Sequence, residues 1–507
     1  MNVFTTQEAN HIVEAYLRHQ RVTRAELTDR GARSIVAEIE KRWSKDVPVH
    51  VFAGPYDNGA LALAVARHLF AKGYTTYATL FNIEIDPAHD ACKRQRDLLA
   101  SSSFDMSRFT EVRKSFKMPQ FEKNAIIVDG IFGSELNRTL ESGYTSFIKH
   151  LNEQKLPIVS LDVPSGMTGD WNSRTVPAKV IKARLTVSLQ FPHLAFFLPN
   201  MAANVGEWVA VDIGIRVDPQ SGVSRKFILV GASEAAHFLR RRNPDCSKAD
   251  FGNGIIFAGS FGMLGAAVLA GRGALRSGIG KLTISTPLCG FSVIQNSVPE
   301  ALYQFAESQD FFSRIKPHHP YDAVAIGPGI GTNEATVNAL EDYLATVPSP
   351  IILDADALNC ISLRPALLNK LPNMSVITPH AKEFDRLFGE QPNGDARLLK
   401  AMEVSKTYNL IIVLKGRYTA VVRPNGMVTF NNSGTPALAT PGSGDVLTGI
   451  ITSFYAQFKN PVLAAVTAVY VHGLAGRLAA EQHGEYGVTA SDIALCTGKA
   501  INEIISR

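Results

Sequence analysis

Residues 438–458 read LATPGSGDVLTGIITSFYAQF. Gly442, Ser443 and Gly444 precede an apolar run with helical periodicity, and Asp445 stands at its start. Glycines let the backbone N–H groups point into one concavity, and a helix N-terminus adds positive potential, so the turn reads as an anion hole for a phosphoryl group in transfer. A carboxylate at its mouth can take the proton of an attacking alcohol, the general-base role that phosphoryl transfer to oxygen requires. On these residues alone Asp445 reads equally well as a plain helix N-cap behind a glycine turn. The surroundings decide between the two.

Upstream of this stretch, FILVG (227–231), GIIFAGS (254–260), KLTIST (281–286), AVAIGPG (323–329), PIILDADA (350–357), VITPH (376–380) and IIVLKG (411–416) read as short strands, each closing in Gly, Asp, Thr or His. In open α/β sheets ligands bind beyond the carboxyl ends of the strands, so these endings outline one site. The N-terminal half alternates in the same way: VHVFAG (49–54), a helix from about Leu61 to Lys72, AIIVDG (125–130), a helix to about Gln154, then PIVSLDVPSG (157–166). Alternation of this kind predicts βαβ units around mostly parallel sheets. The first series closes near VAVDIGI (209–215), and the polar VDPQSGVS (217–224) reads as a linker. The expected organisation is an N-terminal domain over 1–216, a linker over 217–224 and a C-terminal domain over 225–507.

Bulk properties narrow the partners. A chain of 507 residues, 46% hydrophobic and 19% charged, fits a compact enzyme of more than one domain. Its formal charge of +5 is small for this length and excludes a dedicated nucleic-acid binder, while it suits a phosphorylated small molecule. Five scattered cysteines without a C-x-x-C pair argue against a disulfide framework or zinc site and for a reducing cytoplasm. The N-terminal residues are amphipathic and charged, so no export signal is expected. The uncharged run from Phe251 to Gly271 has membrane-spanning length, but its glycines fit a strand, ligand loop and helix, and no membrane role is expected.

FGNGIIFAGSFGMLGAAVLAGRGALRSGIGKLTIS, AVAIGPGIGTNE, ILDADALN, VITPHAKEFDRLFG, IIVLKGRYTAVV and GTPALATPGSGDVLTGI, in this order, resemble the ADP/ATP-dependent NAD(P)H-hydrate dehydratases of the ribokinase-like superfamily over residues 225–507. SKADFG stands where a His-Lys-Gly opening is usual, and Pro441 replaces a glycine. The resemblance implies a ribokinase-like α/β domain in which Asp445 is the catalytic base. It further implies that Lys415, Gly416, Arg417, Tyr418 and Thr419 of the KGRYT turn, with Gly442, Ser443 and Gly444, meet the nucleotide. Ala266, Gly329, His380 and Asp445 then contact the hydrated nicotinamide nucleotide. Glu383 is a candidate to hold Mg2+ through water. Blander readings stand beside these: His380 as a satisfied strand-end histidine, Lys415 as a solvated lysine, and Gly327, Gly329 and Gly331 as turn residues.

The chemistry so implied starts from water added to the reduced nicotinamide ring. The hydroxyl is a poor leaving group. Once it carries a phosphoryl group from ADP or ATP, the lone pair of the ring nitrogen expels it and NADH or NADPH returns. A small-molecule kinase of the same fold, with a non-catalytic N-terminal binding or assembly domain, is the competing reading, because fold alone does not separate the two. ATP against ADP, and NADH hydrate against NADPH hydrate, stay open. A homo-oligomer is expected from the resemblance.

VFAGPYDNGALALAVARHL, IIVDGIFGSELNR and VSLDVPSGMTGD are similar to the NAD(P)H-hydrate epimerase domain over about residues 1–215, which implies a Rossmann-like three-layer α/β/α fold. Carried over by position, Asp162 is catalytic and binds substrate, as do Asn58 and the loop from Gly133 to Thr139. Asn58, Asp129 and Ser165 match a potassium site. Tyr56, Asp57, Ala60 and Leu61 stand where Gly, Asn, Gly and Asp are usual, and Glu135 and Asn137 are unusual in their loop. A methyl at Ala60 is expected to obstruct a phosphate at this strand-to-helix turn, Leu61 removes a carboxylate, and Asp57 repels an anionic nucleotide. The expectation is a weak or inactive epimerase.

Overall fold

The computed structural model describes residues 1–83, 87–114, 116–134, 136, 140, 142–217, 225–239 and 241–506. Its contacts divide the chain into Asn2–Arg225 and Lys226–Arg507, the latter with Met1. Of the linker expected over 217–224, residues 218–224 lie outside the described residues.

The N-terminal unit is built on seven strands, all pairs parallel, in the order 109–112, 76–81, 49–53, 126–130, 158–161, 185–189, 207–211. Runs such as Ile126–Gly130 and Ile158–Leu161 are fully buried, as strands covered on both faces must be. From Val49–Ala53 the chain winds outward through 76–81 to 109–112, then returns to place 126–130 on the other flank. Strand order reverses there, which opens a crevice beyond the carboxyl ends of 49–53 and 126–130. The following helix is Asp57–Ala71, so Asp57, Asn58, Gly59 and Ala60 form its first turn and not a loop ahead of it.

The C-terminal unit carries a mixed sheet in the order 227–230, 428–431, 420–422, 411–414, 376–377, 352–353, 323–326, 253–257, 281–286, 302–305. Strands 411–414, 420–422 and 428–431 pair antiparallel as a hairpin meander, and the pairs from 411–414 across to 302–305 are parallel. Order reverses between 253–257 and 323–326. The run from Phe251 takes the expected course: strand Asn253–Phe257, a glycine-bearing turn, then helix Leu264–Arg276. That helix packs against Ser443–Phe458 so closely that a Cβ at Gly449 would enter the carbonyl oxygen of Ala270, and one at Gly273 that of Val446. The backbone contact fixes where the start of Ser443–Phe458 lies. Pro461–His483 is long and apolar enough to cross a membrane, but most of it is buried inside this unit.

Candidate active site

In the C-terminal unit, Gly442 caps helix Ser443–Phe458 with φ +83°, a left-handed conformation that suits glycine. Below it lies the buried ring of His472, whose Nε2 is 3.0 Å from the Ser443 carbonyl oxygen and 3.2 Å from its hydroxyl. Burial holds His472 down at about 4, so this support is neutral.

Asp445 lies in the first turn, partly buried. Burial, followed by the charge of Asp354, pushes its carboxyl up to about 7; Lys415 pulls against them, and Asp356 and Glu383 add to the rise. Lys415 follows strand Ile411–Leu414 and opens the KGRYT hairpin turn. Its Nζ is 3.0 Å from Asp354 Oδ1 and 3.8 Å from Glu383 Oε2. A Cβ on Gly444 would lie 3.5 Å from that Nζ, so the lysine stands at the anion hole. Lys415 is therefore not a solvated surface lysine. Burial opposes charge on Asp354, and Lys415 with the hydroxyls of Thr378 and Thr448 outweighs it, holding Asp354 below the usual carboxylate range. Thr419 Oγ1 donates to the Gly416 carbonyl at 3.0 Å and closes the turn, from which Arg417 reaches over the Tyr418 ring.

His380 is half-exposed and caps helix Ala381–Phe388: Nδ1 accepts from Glu383 N at 3.2 Å, while Glu383 Oε2 accepts from His380 N at 2.8 Å. Gly329, φ +63°, and Ala266 come together across the strand-order reversal, since a Cβ on Gly329 would lie 3.1 Å from Ala266 Cβ. Gly331 N donates to Asp356 Oδ2 at 2.9 Å, which ties this glycine turn to the acidic cluster. Between Asp354 and Asp356, Ala355 holds φ +47° and ψ −117°, a strained backbone that marks a constrained site.

Asp354, Asp356 and His472 received no role from the sequence. Two aspartates directly after the strand residues IIL were a readable signal for the first pair. Nothing local marks His472. A cavity of about 1460 Å3 in this unit lies at the far end of Ser443–Phe458 beside Phe454, Gln457 and Phe458, away from these residues.

The N-terminal crevice holds a cavity of about 410 Å3 lined by Asn58, Gly133, Ser134, Asp162 and His193. Asp162 follows strand Ile158–Leu161 with φ +66°. Its Oδ2 accepts from Ser134 N at 2.7 Å, and its Oδ1 is 2.5 Å from His193 Nε2. Burial alone would raise Asp162; His193 and Ser134 outweigh it and bring the carboxyl down to about 2. His193 was missed, although QFPHL follows directly on strand Leu185–Leu189. Asn58 donates through Nδ2 to the carbonyls of Phe132 and Leu161, leaving its buried Oδ1 without a partner. Ser165 Oγ donates to Asp129 at 2.5 Å and stands 3.2 Å from the same Phe132 carbonyl, so the three residues matched to potassium converge there. Glu135 and residues 137–139 of the expected substrate loop lie outside the described residues.

The loop expectation is partly corrected. Ala60 is buried, and its N–H donates to Tyr56 O at 3.1 Å, so its methyl packs in the core and obstructs no phosphate. Asp57 pairs with Arg24 at 3.1 Å, which offsets its charge. Leu61 does line the cavity.

Residues 254–497 match the family model of NAD(P)H-hydrate dehydratase, and residues 24–195 that of the YjeF-related protein N-terminus. The bifunctional NAD(P)H-hydrate repair enzyme Nnr of Dictyoglomus turgidum is 27% identical over all of this chain and 99% of its own. An ADP/ATP-dependent NAD(P)H-hydrate dehydratase of Bacillus subtilis, co-crystallised with ATP and Mg2+, is 32% identical over 55% of this chain and 98% of its own, with a TM-score of 0.49. A ribokinase-like superfamily protein of Enterococcus faecalis is 25% identical over 56% of this chain and 98% of its own, with a TM-score of 0.50. With both family models matched in order along one chain, and relatives aligned over nearly their whole length, the chain belongs to the family of bifunctional NAD(P)H-hydrate repair enzymes.

Proposed function

We propose that the C-terminal unit dehydrates hydrated NADH or NADPH at the expense of ADP or ATP, with Asp445 as base. The observation that carries this reading is a carboxylate pushed up to about 7 at the mouth of the Gly442–Gly444 turn, beside a lysine. Such a group is ionised in good part at neutral pH yet basic enough to accept a hydroxyl proton. The amides of the turn and Lys415 face charge building on the phosphoryl group. Ala266, Gly329 and His380 line the hydrate's side, and the KGRYT turn from Lys415 to Thr419 the nucleotide's.

Asp354, Glu383 and Asp445 act on the one Lys415 ammonium, and among the described residues no three carboxylates gather into a ready-made metal site, so a divalent cation here would be held largely by the nucleotide's phosphates and water. Glu383 would hold Mg2+ through water, since its Oε2 already accepts from His380 N. Bound Mg2+ supplies charge neutralisation on the moving phosphoryl group. The kinase alternative gains no specific observation.

The N-terminal unit then interconverts the hydrate epimers, slowly, because Leu61 offers no polar contact to substrate. Asp162 handles the proton, and Asn58 and Gly133 hold substrate. The orphaned Asn58 Oδ1, the Phe132 carbonyl and the buried Asp129 offer oxygen donors suited to K+, with Ser165 beside them. The working protein is read as a cytoplasmic homo-oligomer. The assay is direct: the purified chain is given both hydrate epimers, Mg2+ and either nucleotide while reduced-nicotinamide absorbance is followed. Return of absorbance with release of free phosphate supports dehydration; a stable phosphate ester overturns it.

A further inference from the structure

Asp162 is an awkward base on its own. Both of its oxygens are engaged, Oδ2 by the Ser134 N–H and Oδ1 by His193 Nε2, and a carboxyl at about 2 barely takes a proton at neutral pH. His193 is buried, four residues past strand Leu185–Leu189, with its backbone bridged to Phe4. Its ring is clamped: a Cβ on Gly169 would come 2.8 Å from Nδ1.

Two acids act on this ring. Asp162 is in contact, and Asp170, which accepts from Thr6 N at 3.0 Å, adds its charge. Burial disfavours the imidazolium, but the two carboxylates outweigh it and raise His193 above its ordinary value. Among the described residues, the other charged groups nearby are Glu8, which acts on Asp170, and the Arg24–Asp57 pair lining the same cavity. Of the two groups, the charge pattern favours a proton on the histidine over one on Asp162.

Resting on the epimerase reading above, we infer that the proton-handling unit of this cavity is the Asp162–His193 pair, in which His193 stores on Nε2 the proton that Asp162 hands to the substrate's hydroxyl. His193 acts through Asp162 and is a positioning residue. The hydroxyl sits on the ring carbon beside nitrogen. The proton moves from Nε2 to Asp162 and on to the hydroxyl oxygen; the C–O bond breaks as the nitrogen lone pair forms a C=N bond, and water leaves. Water then adds to the opposite face, the C=N electrons return to nitrogen, and the proton released goes to Asp162 and back to Nε2. One C–O bond is broken and one made, nothing is oxidised or reduced, and no proton is consumed.

The test follows disappearance of one purified hydrate epimer with the full-length protein, without nucleotide so that dehydration is silent, and corrected for spontaneous epimerisation. The expected rate falls as pH rises through the raised value of His193, because the stored proton is then lost. His193→Gln is expected to lose about 10²-fold and the alkaline limb with it. Asp170→Asn is expected to move that limb to lower pH. If His193→Gln does not fold, the wild-type profile and an NMR titration of the His193 ring decide: titration above the ordinary histidine value supports the pair. A folded His193→Gln protein as fast as wild type, or a wild-type rate flat through alkaline pH, overturns it. If wild type never exceeds the spontaneous rate, the epimerase reading itself falls, a distinct outcome.

Discussion

Asp445 and Asp162 both stand beside carboxyl ends of sheet strands, and burial works to neutralise both. At Asp445 burial prevails, reinforced by Asp354, and the carboxyl rises to about 7 even with Lys415 nearby. At Asp162 the partner prevails: His193 is 2.5 Å away and the carboxyl falls to about 2. The difference lies in who owns the neighbouring cation. Lys415 is claimed by Asp354 at 3.0 Å, which leaves Asp445 poorly compensated, whereas His193 bonds Asp162 directly. One carboxylate is tuned as a base in its own right, and the other needs a proton store beside it.

Lys415→Ala strikes this contrast hardest. It strands the buried Asp354 without its cation, a change expected to cost about 3–5 kcal/mol in denaturant unfolding of the C-terminal unit. Calorimetry on protein that remains folded should show nucleotide binding weakened far more than hydrate binding; equal losses would remove Lys415 from the nucleotide's side. Asp445→Asn should keep the fold and lower nucleotide-dependent dehydration by about 10²-fold or more, near 2.7 kcal/mol of barrier. Turnover close to normal would refute the base assignment. The smallest effect is expected from Gly59→Ala, whose Cβ would meet the carbonyl oxygen of Gly54. About 1–3 kcal/mol of N-terminal stability should be lost while dehydration persists. A parallel loss of dehydration would mean that the two chemistries are not separable.

Much of the C-terminal site was legible because its signals are local. A glycine turn before an apolar helix, and small or polar residues closing each strand, needed no knowledge of distant contacts. Pairings across strands were not legible: Lys415 meets Asp354 and Asp162 meets His193 only because the sheets place those strand ends together. The start of the helix after strand Val49–Ala53 was misjudged for a related reason. Asp57–Ala60 resembles a loop in composition, yet Gly59 lets that turn lie directly on the Gly54 carbonyl, so the helix begins four residues early and buries Ala60.

The central claim, that Asp445 acts as the base of a nucleotide-driven dehydration, is tested most directly by the pH dependence of kcat/KM for the full chain, which reports groups of the free enzyme. The base works when ionised, so the rate should climb with pH through about 7. Asp354→Asn removes a charge that raises Asp445 and should move the climb to lower pH. A profile flat from pH 5 to 8, or a climb that persists unchanged in Asp445→Asn, would contradict the account.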